Sequence, residues 1–225
     1  MKILIIGSSG NLAEVKQKFG DVHVYTHVES HSMAKIEKCD VIFDFVIDEH
    51  QHLIDLYRER SSAVIFLNTT MTSLKKLTSD NAAIQLVLFG FCGLPTFLNR
   101  ELLEVSLLQE EHLGLLKKTC EALNTSFQVV ADRVGLVTPR VICMIINEAY
   151  STVEDGTATR EDIDLAMKLG TNYPYGPFEW CERIGASNVI RVLDAVYHET
   201  KEERYRVCDL LKTKTVPFLI KNKRS

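Results

Sequence analysis

The 225-residue chain has no excess of positive charge: 26 Lys and Arg stand against 30 Asp and Glu, for a formal charge of −4. Its only basic cluster is Lys221, Lys223 and Arg224 near the end of the sequence, so there is no electrostatic footprint for nucleic acid. Nowhere do about 18 consecutive apolar residues suggest a membrane span, and the opening MKILIIG has one charge and too short an apolar run for a signal peptide. The six cysteines, at 39, 92, 120, 143, 181 and 208, form no CxxC pair and no regular spacing, which fits a reduced, cytoplasmic protein. No metal is expected, because His23, His27, His31, His50 and His52 form no ligand constellation. Internal repeats and low-complexity segments are absent as well.

What is present is enough apolar sequence, 46% of residues, to bury a full core. Lys2–Ile6 has a buried-strand pattern that ends in Gly-Ser-Ser-Gly and runs into a helix-like stretch from Leu12 to Phe19. Further strand-like runs occur at Val22–Thr26, Val41–Ile47, Ala63–Leu67 and Gln85–Phe89, with a helical Gln51–Arg60 between the third and fourth. Such alternation predicts an α/β fold, a mostly parallel Rossmann-like sheet with helices on its faces. After a strand-like Leu102–Leu107 and a helical Glu110–Asn124, Phe127–Val130 reads as the last strand, and Pro139 to Leu211 reads as helical. The predicted organisation is a small Rossmann-like domain over residues 1–131 and an all-α domain over residues 132–225.

The helical part carries its own punctuation. Pro139 suits a first turn, and Val141, Ile142, Met144, Ile145, Ile146 and Ala149 then predict an almost continuously apolar, buried helix. Thr159 with Asp162 has the spacing of a capping box, and Gly170 stands where a helix C-terminus favours a left-handed residue. Asn172 to Pro177 must then turn.

In the glycine loop, the six positions of a G-x-G-x-x-G fingerprint read Gly7-Ser8-Ser9-Gly10-Asn11-Leu12. Only the first glycine is in register, although N–H groups from Gly7, Ser8, Ser9, Gly10 and Asn11 at a helix start can hold phosphate. The acid that accepts the ribose hydroxyls should end the second strand; Tyr25 and Thr26 stand there, with Glu29 slightly late.

Residues 132–183 closely resemble the helical domain of 3-hydroxyacyl-CoA dehydrogenases, through Asp132, Gly135, Arg140, Asn147-Glu148-Ala149, Gly156, Asp164, Gly170 and Pro174-Tyr175-Gly176-Pro177. The resemblance implies NAD-dependent interconversion of 3-hydroxyacyl-CoA and 3-ketoacyl-CoA, as in fatty acid metabolism, and a dimer formed through the helical domain. It implies substrate contacts from the turn Asn68, Thr69 and Thr70, with Thr70 also at the reacting centre, and it gives Glu104, in Leu102-Leu103-Glu104-Val105, the place of the family's orienting glutamate. The family's catalytic histidine lies twelve residues before that glutamate; here the position is Cys92, and no histidine occurs between His52 and His112. No cationic residue flanks Cys92, which reads as an inert packing residue before it reads as a base. Pro139 stands where the family has an Asn, and only about fifteen residues separate Thr26 from Val41, where the family has a long helical excursion. Asn147 and Glu148 are expected to make structural or dimer contacts.

These departures, together with Gly90-Phe91-Cys92-Gly93-Leu94-Pro95, look like the degenerate C-terminal half of the duplicated 3-hydroxyacyl-CoA dehydrogenases of phenylacetate catabolism. The resemblance therefore implies a dehydrogenase-like protein with a degenerate site. The alternative is a non-catalytic acyl-CoA-binding or scaffold homologue that pairs with itself or with a full-length dehydrogenase, and a third reading, altered chemistry at Cys92, requires a reactive thiolate there.

Overall fold

A computed structural model describes residues 1–36, 38–57, 63–78 and 86–214. The chain divides into two compact units between Leu136 and Val137. The first contains β1 (Lys2–Ile6), α1 (Ser9–Phe19), β2 (Val24–Val28), α2 (Met33–Ile36), β3 (Val41–Asp44), a 3-10 segment Gln51–Tyr57, β4 (Val64–Asn68), α3 (Leu74–Thr78), β5 (Leu88–Phe91), β6 (Leu102–Leu107), α4 (Leu113–Ala122) and β7 (Ser126–Val129). They build a seven-stranded sheet in the order β2-β1-β3-β4-β5-β6-β7. Neighbours from β2 to β5 are parallel, β6 runs antiparallel to β5, and β7 is parallel to β6.

β3, β4 and β5 are buried along their whole length, as a parallel sheet covered on both faces requires. Strand residues alternate between two apolar clusters: Ile3, Ile5, Phe43, Phe66, Phe89 and Phe91 pack with Val15 and Phe19 of α1, and Leu4, Ile6, Ile42, Ile65 and Leu67 pack with Tyr57 and Leu74 on the other face. The boundaries differ from the sequence reading where local hydrogen bonds decide. α1 begins at Ser9 rather than Leu12 because Ser8 caps it, and β2 runs to Val28, two residues past Thr26, because Val28 pairs with Ile6. Residues 58–60 of the expected helix, Gln85 of the expected strand, and the basic Lys221, Lys223 and Arg224 lie outside the described residues.

Asp132 holds the first unit together locally. Its carboxylate accepts from the Leu74 and Lys75 N–H groups, at 2.9 and 2.8 Å, and from the Ser106 hydroxyl at 3.1 Å. It thereby takes up the first free donors of α3, whose own turn offers them no acceptor.

The second unit comprises α5 (Thr138–Glu154), α6 (Arg160–Thr171), α7 (Pro177–Ile184), α8 (Ala186–Thr200) and α9 (Asp209–Lys212). α5 buries Pro139, Ile142, Cys143, Ile146, Asn147, Ala149 and Tyr150, whereas Val141 is 51% exposed, so the helix is apolar but not wholly enclosed. Thr159 caps α6, its hydroxyl accepting from the Asp162 N–H at 3.2 Å. That helix continues past Gly170 and closes at Asn172, whose φ of 55° takes the left-handed place expected of the glycine; asparagine is the other residue that tolerates it. Asp164 accepts from the N–H groups of Phe178 and Glu179, at 2.8 and 3.3 Å, and so caps α7 from the preceding helix. Asn147 donates to the Arg206 carbonyl and accepts from the Cys208 N–H, both at 2.9 Å, which makes it a structural tie within this unit. No described helix is long and apolar enough to cross a membrane.

Candidate active site

In an open parallel sheet the carboxyl ends of the strands, where the order reverses, form the binding crevice. Here β1 lies between β2 and β3, and its exit is Gly7. Gly7 has φ +153° and donates its N–H to the Val28 carbonyl at 2.9 Å; a Cβ there would stand 2.7 Å from Asn11 Oδ1 and 3.0 Å from Phe45 Cβ. Only glycine fits that turn. Ser8 and Asn11 close a capping box: the Ser8 N–H and hydroxyl both donate to Asn11 Oδ1 at 2.8 Å, and the Asn11 N–H donates to Ser8 Oγ at 3.3 Å. Of the five expected loop residues, Ser8 and Asn11 thus satisfy one another. The exposed Ser9 and Gly10 carry the first two N–H groups of α1, for which the helix itself supplies no acceptor.

Because β2 ends at Val28, Glu29 is the first residue after the strand and not a late one. It is exposed, beside the Gly7 turn, and stands 22 positions after Gly7, close to the spacing of a ribose-binding acid. His27 Nε2 meets the Gly7 carbonyl at 2.8 Å and ties the two strand exits together. A glycine exit without room for Cβ, a helix start with free donors and an acid at the end of β2 together fit a dinucleotide.

The turn after β4 is locked rather than open. Asn68 Nδ2 donates to the Phe45 carbonyl at 3.0 Å, and Asn68 Oδ1 accepts from the Thr70 N–H (3.2 Å), the Thr70 hydroxyl (2.7 Å) and the Gly93 N–H (3.0 Å). A Cβ on Gly93 would come within 2.6 Å of Asn68 Cγ, so this close approach also needs glycine. Asn68, Thr69 and Thr70 are all buried, and among the described residues the Thr69 hydroxyl has no hydrogen-bond partner. The structure therefore brings Asn68, Thr70 and Gly93 together through one carboxamide, and Thr70 in turn meets the Cys92 thiol.

Pairing of Phe91 with Val105 sets Cys92 and Glu104 opposite one another at the β5–β6 exit. Burial pushes the Cys92 thiol from its ordinary 9.0 up to about 12, against the opposing influence of a hydrogen bond with Thr70. Such a thiol is protonated at neutral pH and supplies no base. Sequence reasoning found no cationic neighbour; the structure supplies one, Arg100, whose charge acts on Cys92, Glu104 and Glu14. Burial lowers the Arg100 pKa, and its guanidinium stacks 4.1 Å from the Phe97 ring centroid, while its Nε reaches the Thr96 carbonyl at 3.4 Å. Its loop leans on α1: Glu14 Oε1 accepts from the Leu98 and Asn99 N–H groups, at 3.1 and 3.2 Å, and Lys18 donates to the carbonyls of Arg100 and Glu101. The signal for Arg100 was the spacing of four residues before Glu104, invisible until the loop between β5 and β6 folds back. Among the described residues no group of three or more His, Cys, Asp or Glu is arranged to hold a metal.

Residues 135–216 match the family model described as "3-hydroxyacyl-CoA dehydrogenase, C-terminal domain". The 3-hydroxyadipyl-CoA dehydrogenase of Escherichia coli K12 is 44% identical over 87 residues, 39% of this chain and 18% of that protein, so the matched stretch spans under a fifth of that relative's length. A probable 3-hydroxybutyryl-CoA dehydrogenase of Deinococcus radiodurans is 24% identical over 200 residues, 86% of this chain and 70% of that one. The crystal structure of the (S)-3-hydroxybutyryl-CoA dehydrogenase of Ralstonia eutropha superposes with a TM-score of 0.73 at 18% identity, covering 96% of this chain and 93% of that one, a likeness of fold.

Proposed function

We propose that this chain, whose residues 135–216 match the C-terminal domain model of 3-hydroxyacyl-CoA dehydrogenases, is an oxidoreductase-type protein of that family that binds NAD(H) and 3-hydroxyacyl- or 3-ketoacyl-CoA at the carboxyl edge of the sheet, with turnover slowed by a degenerate site. Bound NAD supplies a hydride acceptor, and NADH a donor. The N–H groups of Ser9 and Gly10 would hold its pyrophosphate, and Glu29 its ribose hydroxyls. Glu104 would orient a reacting group from β6, and Arg100 would offset its charge. The observation that supports this reading is that Cys92 and Glu104 stand opposite one another beyond the Phe91–Val105 pair, a carboxylate facing a buried thiol that is protonated at neutral pH.

Oxidation of a 3-hydroxyl needs a base with pKa near the working pH, and positioned acid–base catalysis is worth about 10²- to 10⁴-fold. Losing it while keeping the binding residues slows turnover without abolishing recognition. Titration calorimetry of the folded protein with NADH and with acetoacetyl-CoA tests this; binding of both at micromolar to millimolar levels supports it, and binding of neither contradicts it.

The same thiol favours a second reading, a non-catalytic acyl-CoA-binding or scaffold homologue that pairs with itself or with a full-length dehydrogenase. We propose in either case a homodimer through the helical unit. α6 buries none of its residues, and Leu165 and Leu169, one helical turn apart, are 54% and 78% exposed.

A further inference from the structure

A buried polar cluster on the sheet face opposite α1 has no part in the chemistry above. Asp44, the last residue of β3, is completely buried; its Oδ2 accepts from His31 Nε2 at 2.7 Å and from the Tyr57 hydroxyl at 2.8 Å, and its Oδ1 accepts from the Val46 N–H at 3.0 Å. A carboxylate only accepts, so the hydrogens of these contacts belong to its partners. Burying a carboxylate is costly unless it is well bonded, and here three donors answer it.

The origin of one donor is informative. Val46 lies two residues after Asp44, and Tyr57 in the segment that follows β3, but His31 comes from the turn after β2, on the far side of β1. Two strand spacings, about 10 Å, separate β2 from β3. The chain from Val28 to His31 must therefore pass the exit of β1, beside Gly7, to reach Asp44, and Glu29 rides on that crossing. Between β2 and β3 the chain is otherwise anchored at Ile36, buried at the end of the four-residue turn α2 and five residues beyond His31, so the side-chain tie on the turn itself is the His31–Asp44 bond.

We infer that His31, Asp44 and Tyr57 are positioning residues for the dinucleotide: the His31–Asp44 bond, steadied by Tyr57, draws the turn after β2 across the β1 exit and holds Glu29 at the ribose end of the crevice. This rests on the reading that the first unit binds a nicotinamide dinucleotide. A pair serving stability alone would leave cofactor discrimination unchanged, whereas this one sets where the acid stands that accepts a ribose 2′-hydroxyl and repels a 2′-phosphate.

The experiment is fluorescence titration of the 225-residue chain with NADH and NADPH, for wild type, Glu29→Gln, His31→Ala and His31→Gln. Wild type should prefer NADH. His31→Ala should lose about tenfold in NADH affinity, the loss of roughly one hydrogen bond to a charged group, and most of the preference, as Glu29→Gln does. His31→Gln, which keeps an N–H donor, should recover part of both. Amide exchange in residues 29–32 of His31→Ala should accelerate, with β3 and β4 unchanged. Should His31→Ala fail to fold, Tyr57→Phe carries the test with a smaller loss in the same direction. Wild-type affinity and preference in a folded variant overturn the positioning role and leave the dinucleotide reading standing; a folded wild type that binds neither nucleotide overturns both.

Discussion

Cys92 is a buried thiol opposite Glu104, and its burial decides what it can react with. Its register twelve residues before Glu104, the absence of a histidine and its reading as a packing residue were legible in the sequence; its neighbour Arg100 was not, because that contact depends on the fold of the loop between β5 and β6. A thiol pushed up to about 12 should resist iodoacetamide near neutral pH in the folded protein and react once it is unfolded; rapid native labelling would contradict the assignment. The same shift has a stability consequence. Cys92, Cys39 and Cys120 all have thiols raised by burial, to about 12, 11 and 11. A raised folded-state pKa stabilises below the unfolded value, and that stability is lost as pH climbs toward the folded one. Melting temperature should therefore fall between about pH 9 and 12, and less steeply in Cys92→Ala. Asn68 was read from the resemblance as a substrate contact, yet its carboxamide is committed to Phe45, Thr70 and Gly93. Asn68→Ala should cost about 2–4 kcal/mol in urea unfolding, since it strands several buried donors at once; a change below about 0.5 kcal/mol would mean those groups find other partners.

Elements were legible where hydrophobic period and caps agreed. The alternation of β1 to β5 with intervening helices and the Thr159 cap follow from local pattern, whereas the ends of β2 and α6 moved by one or two residues because pairing with Ile6 and the left-handed Asn172 decided them. The motif residues Asp132 and Asp164 turn out to cap helices that lie elsewhere in sequence, α3 and α7. That role could not be seen from spacing, because acceptor and donor are separated by 58 and 14 residues respectively. Asp132→Ala should cost about 1–2 kcal/mol and raise amide exchange at Leu74 and Lys75; unchanged exchange there would contradict the cap. The crossing from β2 to Asp44 was missed altogether, although a charged residue inside the apolar run Val41-Ile42-Phe43-Asp44-Phe45 was a signal for it.

At the scale of the molecule, the order of a parallel sheet followed by helices could be predicted from patterning alone, and family resemblance added what the helices are. Association depends on surfaces that period does not reveal: an amphipathic α6 looks the same in sequence whether its stripe faces a core or a partner. Light scattering should give twice the chain mass, and Leu165→Asp with Leu169→Asp should return a monomer; a monomeric wild type would remove the proposed dimer. The central claim is that the family's site is retained with its base missing. It is tested most directly by NADH-dependent reduction of acetoacetyl-CoA, comparing wild type with Cys92→His, each checked for folding and NADH binding. The account predicts slow or undetectable wild-type turnover and a rise of about 10²-fold in Cys92→His, abolished again by Glu104→Gln. Fast wild-type turnover indifferent to both substitutions would place the chemistry elsewhere and contradict it.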